Sequence, residues 1–169
     1  MNKAGISAVM VSLIILAVSL GMALAYASTM MGWFSSAINI IKIDASESKI
    51  ILNPSNNNVR LQIVLKNMGT ATVKVSVIEI DAEIVGRVNV TFEGQKVKIS
   101  VDGGKYGQLY KSSNDVLITD NKLLIPQGCI ATLYFNITIN QPIWKIGATY
   151  RAIVFYEGGL TDFKISVIY

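Results

Sequence analysis

The stretch between Lys3 and Lys42 carries no Asp, Glu, Lys or Arg, and nothing else in the chain limits its fold as much. Its first two thirds read GISAVMVSLIILAVSLGMALAYA, apolar on every side of a helix rather than along one stripe. A helix apolar all round must be buried, in protein or in lipid. A continuous apolar run beyond about 18 residues is long enough to cross a membrane. Carried as a helix to Ile41, the stretch would be roughly 57 Å long at about 1.5 Å per residue. That is nearly twice the roughly 30 Å of a bilayer core. The helix is longer than an anchor needs, so its far part requires a second apolar environment. Gly32 costs roughly 1 kcal/mol against Ala in a helix interior, so weakening and a kink are expected there, before a direct passage into strand.

Small residues within the run indicate what that environment is. Ala17, Gly21 and Ala25 fall four apart, and so do Ser19, Ala23 and Ala27 on another face. Small residues at this spacing let helix backbones approach closely and are enriched where apolar helices pack together. Two such faces imply several neighbours. The plainer reading is that Ala, Gly and Ser are simply common in membrane helices.

The remaining sequence narrows the chemistry. At 169 residues the chain has room for this segment and one domain of ordinary size. The chain has no histidine, which removes Ser-His-Asp and Cys-His catalysis and the usual imidazole metal sites. Cys129, the single cysteine, has no intramolecular disulfide partner and reads as a small buried side chain within GCIATLYF. Asp102, Asp115 and Asp120 flank loops without the regular spacing of a calcium loop. No catalytic constellation and no cofactor motif is present, so an enzyme is not expected. Net charge is +4 with a pI near 9.2. The lysines, among them Lys74, Lys98, Lys122 and Lys164, are spread along strand-like segments rather than gathered with aromatics. Nucleic-acid binding is therefore not evident.

Three readings compete for the N-terminus. One is a plain single-span anchor. Another is a secretory signal with Ala23-Leu24-Ala25 as its cleavage site. Cutting there would leave Met30, Met31, Trp33 and Phe34 in a sticky tail. The third rests on a resemblance. MNKAGISAVMVSLIILAVSLGMALAYA resembles the class III signal and helix of archaeal type IV pilins and archaellins. In those families a prepilin peptidase cuts after a short basic leader, before the hydrophobic helix. The resemblance places that processing site at Lys3, Ala4, Gly5 and Ile6. The leader is very short, and Gly5 stands where a larger apolar residue is commoner.

From Lys42 the apolar period becomes two. Strands are expected over 48–53, 59–67, 72–81, 84–92, 95–101, 116–119, 122–125, 129–139, 149–157 and 162–168. Turn residues separate them, such as Asn53-Pro54, Asn67-Met68-Gly69, Asp102-Gly103-Gly104 and Asp120-Asn121. Val73, Val75 and Val77 on one strand, and Leu133, Phe135 and Ile137 on another, are the expected core positions. Many short strands with no helix pattern between them predict an antiparallel sandwich. LKNMGTATVKVSVIEID, IPQGCIATLYFNITI and GATYRAIVFYEGG resemble phrases of archaeal pilin and archaellin heads, which implies an immunoglobulin-like sandwich. The expected fold class is thus α+β: a leader at 1–5, a hydrophobic helix at 6–41, and an all-β immunoglobulin-like head at 42–169.

Two N-x-S/T sequons make Asn89 and Asn136 candidate N-glycosylation acceptors. Together the resemblance and the helix lead to the expectation of a pilin, a subunit of an archaeal cell-surface filament used in adhesion. Its partners would be copies of itself, the prepilin peptidase, the assembly machinery and, for the precursor, the cytoplasmic membrane. The alternatives are a membrane-anchored accessory module like those of the archaellum stator, and a secreted strand-donor subunit cut after Ala25.

Overall fold

The computed structural model describes residues 3–37, 40–53, 55, 58–101, 103–139 and 143–169. Met1 and Asn2 of the expected leader, Pro54 of the expected turn, and Asp102 lie outside the described residues. The chain divides into two units, Met1–Asn39 and Ile40–Tyr169.

The first unit holds helix α1, Lys3–Ala37, 35 residues that run on through Gly32 without a break. The second unit is built of strands. In order they are β1 (Ile43–Asp44), β2 (Lys49–Asn53), β3 (Asn58–Asn67), β4 (Val73–Ala82), β5 (Gly86–Glu93) and β6 (Lys96–Ile99). Then follow β7 (Lys105–Lys111), β8 (Leu117–Thr119), β9 (Lys122–Ile125), β10 (Ile130–Thr138), β11 (Thr149–Tyr156) and β12 (Gly159–Ile168). Asp120 and Asn121, with φ of 53° and 56°, form the tight two-residue turn between β8 and β9. Asn and Asp tolerate this left-handed conformation better than other side chains.

The expected immunoglobulin-like antiparallel sandwich is not what the chain forms. The wall runs β11-β12-β2-β3-β10-β7-β6-β5-β4, and β4 then pairs back to β11, closing a nine-strand barrel. A sandwich keeps separate sheets with free edges; here the end strands of the wall hydrogen-bond to each other. Open sides are left on the short strands β1, which pairs with β3, and β8, which pairs with β9 beside β4. Two pairings make the difference. β4 joins β11 with Ala152 opposite Ile80 and Phe155 opposite Val77. β7 joins β10 to β6, with Leu133 opposite Leu109 and Lys98 opposite Tyr106. The wall is also not wholly antiparallel, since β12 runs parallel to β2.

Alternation fills the barrel. Leu61, Ile63 and Leu65 of β3 and Leu133, Phe135 and Ile137 of β10 point inward and are buried. Each such side chain contributes about 1.5–3 kcal/mol on leaving water. Gly107 of β7 sits directly under the Phe135 ring, where a Cβ would collide with both that ring and the Tyr134 carbonyl. The expected core of β4 needs one correction. Val73 and Val75 are fully buried, but Val77 is only half-buried and Ile78 takes the inward place. Ser76 is an extra residue between Val75, opposite Tyr156, and Val77, opposite Phe155. Such a bulge shifts the alternation by one. The Ser76 hydroxyl donates to the Phe155 carbonyl at 3.2 Å.

Candidate functional site

Ser7–Trp33 of α1 form a span of 27 residues with mean hydropathy 2.5 and none of it buried. The consecutive residues Leu13, Ile14, Ile15 and Leu16 are 55%, 59%, 61% and 67% exposed. Four successive residues point to every side of a helix, so no face is covered. Apolar surface of this extent has no place in water. Its hydroxyls are turned to match: Ser12 donates to the Ala8 carbonyl at 2.9 Å, Ser28 to Leu24 at 2.9 Å, and Thr29 to Ala25 at 2.8 Å. A hydroxyl bonded to the preceding turn needs no water, the requirement in hydrocarbon. One apolar helix near the N-terminus fits a transmembrane helix or a signal sequence.

The small residues stand as two columns on this helix. Ala17, Gly21 and Ala25, and Ser19, Ala23 and Ala27, are all exposed, and a Cβ at Gly21 would meet nothing within 4 Å. Lys3, Ala4, Gly5 and Ile6 make up the first turn of α1.

Both sequons lie within strands of the barrel, facing outward. Asn89 on β5 is exposed, and its backbone N–H donates to the Ser100 hydroxyl at 2.8 Å. Asn136 on β10 is exposed and accepts from Arg60 Nε at 3.3 Å, while Thr138 of the same sequon donates to Asn58 Oδ1 at 2.7 Å. Beside Asn136 an open cleft of about 620 Å³ lies between β2, β3 and β10. Cys129 is half-buried, its sulfur 3.3 Å from the Ser113 hydroxyl.

Charge is unevenly matched around the barrel. Near β4 and β11 the carboxylates are answered: Arg87 reaches Glu79 at 2.9 Å, Lys145 reaches Glu83 at 2.8 Å, and Arg151 reaches Asp162 at 3.5 Å. Hydrogen bonds from Lys145, and then from the Tyr150 hydroxyl, hold the Glu83 carboxyl below its ordinary range. Burial is the main reason the Tyr150 phenol is pushed up. Lys98 likewise lowers Glu93, and Lys74 lowers Glu157.

The outward face of β3, β10, β7 and β6 is answered only in part, since Lys98 pairs with Glu93 at 2.9 Å and Glu93 also accepts from the Tyr106 hydroxyl at 3.2 Å. There the register gathers lysines and an arginine with tyrosines that are far apart in sequence. The ammonium groups of Lys96 and Lys98 lie 5.2 and 5.9 Å from the centre of the Tyr106 ring. The Arg60 guanidinium lies 5.7 Å from the Tyr134 ring, which meets Tyr110 edge-on at 6.1 Å. The clustering that the linear sequence lacked is supplied by the sheet. Tyr106 and Tyr110 sit four apart in Lys-Tyr-Gly-Gln-Leu-Tyr-Lys, an even spacing that places both on one face of a strand. That spacing was the available signal.

No family model matches the chain, and no curated protein matches it. Among solved structures, a beta-glucosidase from Listeria innocua in complex with glucose is similar over 77% of this chain, at 14% identity. The similarity spans 16% of that enzyme, and its TM-score of 0.28 carries no argument about fold or function.

Proposed function

We propose that the chain is a pilin-like subunit, stored in a membrane by α1 and assembled into an archaeal-type surface filament when α1 leaves lipid for a bundle of like helices. The observation that supports this reading is the helix itself. It is apolar and exposed on all sides over 27 residues, roughly 40 Å at about 1.5 Å per residue, against a bilayer core of roughly 30 Å. A helix moved from lipid to protein gains little from the hydrophobic effect, so close packing of small residues must select its neighbours. Ala17, Gly21 and Ala25 with Ser19, Ala23 and Ala27 provide two columns for that. Prepilin-type cutting between Lys3 and Ile6 would fall in the first turn of α1 and leave the apolar span Ser7–Trp33 whole. The head contributes less than the resemblance implied, because it is a barrel. The strand-donor alternative has less support, since the end strands β4 and β11 of the wall pair with each other and, among the described residues, only the short strands β1 and β8 keep an open side.

Two measurements test the proposal. Mass spectrometry of the mature chain should give a first residue of Ala4, Gly5 or Ile6. A start at Tyr26 would identify a secretory signal, and retention of Met1 an anchored module. Replacing Gly21 with Leu keeps the helix apolar, so membrane levels should hold. In a bundle the added bulk forces backbones apart at about 1–3 kcal/mol per site, repeated in every subunit. Electron microscopy should then show few or no filaments for Gly21→Leu and near-normal numbers for the volume-conserving Leu13→Ile. Wild-type filament numbers in Gly21→Leu would refute packing at this face.

A further inference from the structure

We propose that the outward face of β3, β10, β7 and β6 is a binding surface for an acidic polysaccharide. The register builds it. Tyr134 stands between Gln108 of β7 and Gln62 of β3, and Asn136 is opposite Arg60. On the far side Lys96 lies 5.2 Å from the Tyr106 ring, while Lys98, opposite Tyr106, is neutralised by Glu93 at 2.9 Å, whose other oxygen accepts from the Tyr106 hydroxyl at 3.2 Å. The result is a strip of tyrosine rings and amides with an unpaired cation on each side, Arg60 on β3 and Lys96 on β6, and the Glu93 carboxylate held by Lys98 at its β6 end.

Each part matches one feature of a charged sugar chain. Tyr106 and Tyr110 are 55% and 56% exposed, so rings are open to the apolar C–H faces of sugars. Carboxamides both donate and accept, as a row of hydroxyls requires. The Tyr110 hydroxyl donates to Gln108 Oε1 at 2.8 Å, which fixes that amide's orientation. The cations supply the sign of the ligand. Arg60, Lys96 and Lys49 have no ion-pair partner among the described residues, whereas Arg87 and Arg151 near β4 and β11 are paired. The chain's net charge of +4 is thus left unanswered in part on this face, which is electrostatically complementary to a polyanion. At the Arg60 end the strip runs into the 620 Å³ cleft, lined there by Asn53, Asn58, Thr138 and Tyr169. That concavity gives a sugar chain a place to enter.

Single-stranded nucleic acid is the competing polyanion. It calls for cations that follow its backbone in one continuous track. Here the cations are split between β6 and β3, with neutral groups between them. Carboxylates carried on hydroxyl-rich rings fit that division better than phosphates in a row.

The surface belongs to the barrel and holds whether α1 anchors a monomer or builds a filament, so it is tested on the unassembled full chain in detergent. The probes are polygalacturonate, neutral dextran, and an oligodeoxynucleotide of equal charge, each followed by fluorescence anisotropy. Polygalacturonate should bind saturably and more weakly as salt rises, with dextran unbound and the oligonucleotide weaker. Arg60→Gln, and separately Tyr106→Ala with Tyr110→Ala, should each weaken binding about tenfold, the loss of one good charged or stacked contact. Lys96→Gln serves as a further variant should one of these perturb the fold by circular dichroism. Lys164→Gln, away from the strip, should stay within about twofold of wild type. The proposal is overturned by absence of saturable binding, by equal or tighter binding of the oligonucleotide, or by an equal loss in Lys164→Gln. A glycan on Asn136 of the native chain would also overturn it, because the sugar would cover the strip.

Discussion

Asn67 holds more of the barrel's irregular backbone than any neighbouring side chain. It is 1% exposed, and its Nδ2 donates to the Ala71 and Ile125 carbonyls, both at 2.8 Å. Its Oδ1 accepts from the Gly69 N–H at 2.9 Å. Asn67→Leu would keep the bulk and leave these backbone groups unpaired. A loss of about 2–3 kcal/mol is expected by chemical denaturation, and Asn67→Asp should not rescue it, having no donor for the carbonyls. The Asn67-Met68-Gly69 turn is visible in the sequence as chemistry, but its reach to Ile125 is not, because that partner is remote along the chain. Glu83 makes a second residue-scale case. Its folded pKa lies below the ordinary value of 4.5, so the stability it contributes is present above that value and lost as pH falls through the lower one. The acid side of the Lys145–Glu83–Tyr150 cluster should therefore hold down to about pH 4.5 and loosen below it. Glu83→Gln should flatten that part of the pH profile, while an unchanged profile would show that the cluster contributes nothing measurable.

Among the elements, α1 and β10 are readable from sequence for the same reason. Each has a single period, all-apolar in one and strictly alternating in the other, that only one geometry satisfies. β7 is not readable as a strand. Lys105-Tyr-Gly-Gln-Leu-Tyr-Lys has one aliphatic side chain, and its inward place at 107 is a glycine that makes room for Phe135. A strand whose core contact is the space it leaves has no apolar alternation to detect. β4 misleads in the opposite way. Val73-Lys74-Val75-Ser76-Val77 alternates cleanly in sequence, but the bulge at Ser76 moves the inward place to Ile78. The tyrosine–cation strip was hidden by both causes, an undetected strand and pairings of distant residues. The bulge gives a direct prediction. Ile78→Ala should cost about 2–5 kcal/mol as a cavity in a fully buried site, and Val77→Ala about 1 kcal/mol or less. Denaturant midpoints in the reverse order would restore the simple alternation.

At the scale of the whole molecule, the closing pairings are what sequence could not provide. Inward and outward residues alternate identically in a sandwich and a barrel. What separates them is whether β4 finds β11, residues some seventy positions apart, and no local period records that choice. The barrel also takes in the chain just before its first strand. The Thr70 N–H donates to the Ile40 carbonyl and the Met68 N–H to the Lys42 carbonyl, each at 2.8 Å, and Ile43 is buried. Gly69 makes this possible, because a Cβ there would collide with the Ile40 carbonyl. A fragment starting at Ile40 should accordingly be soluble and all-β by circular dichroism. One starting at Asp44 lacks two backbone bonds and a buried isoleucine, and should be about 3–5 kcal/mol less stable. Gly69→Ala supplies the internal check. In the longer fragment it should push the Ile40 segment off and cause much of the same loss, whereas in the shorter fragment there is nothing left to displace. The two changes should thus be strongly non-additive. Additive losses would mean that the residues at 40–43 contribute through contacts unrelated to Gly69, and equal stability of the two fragments would mean that they contribute nothing.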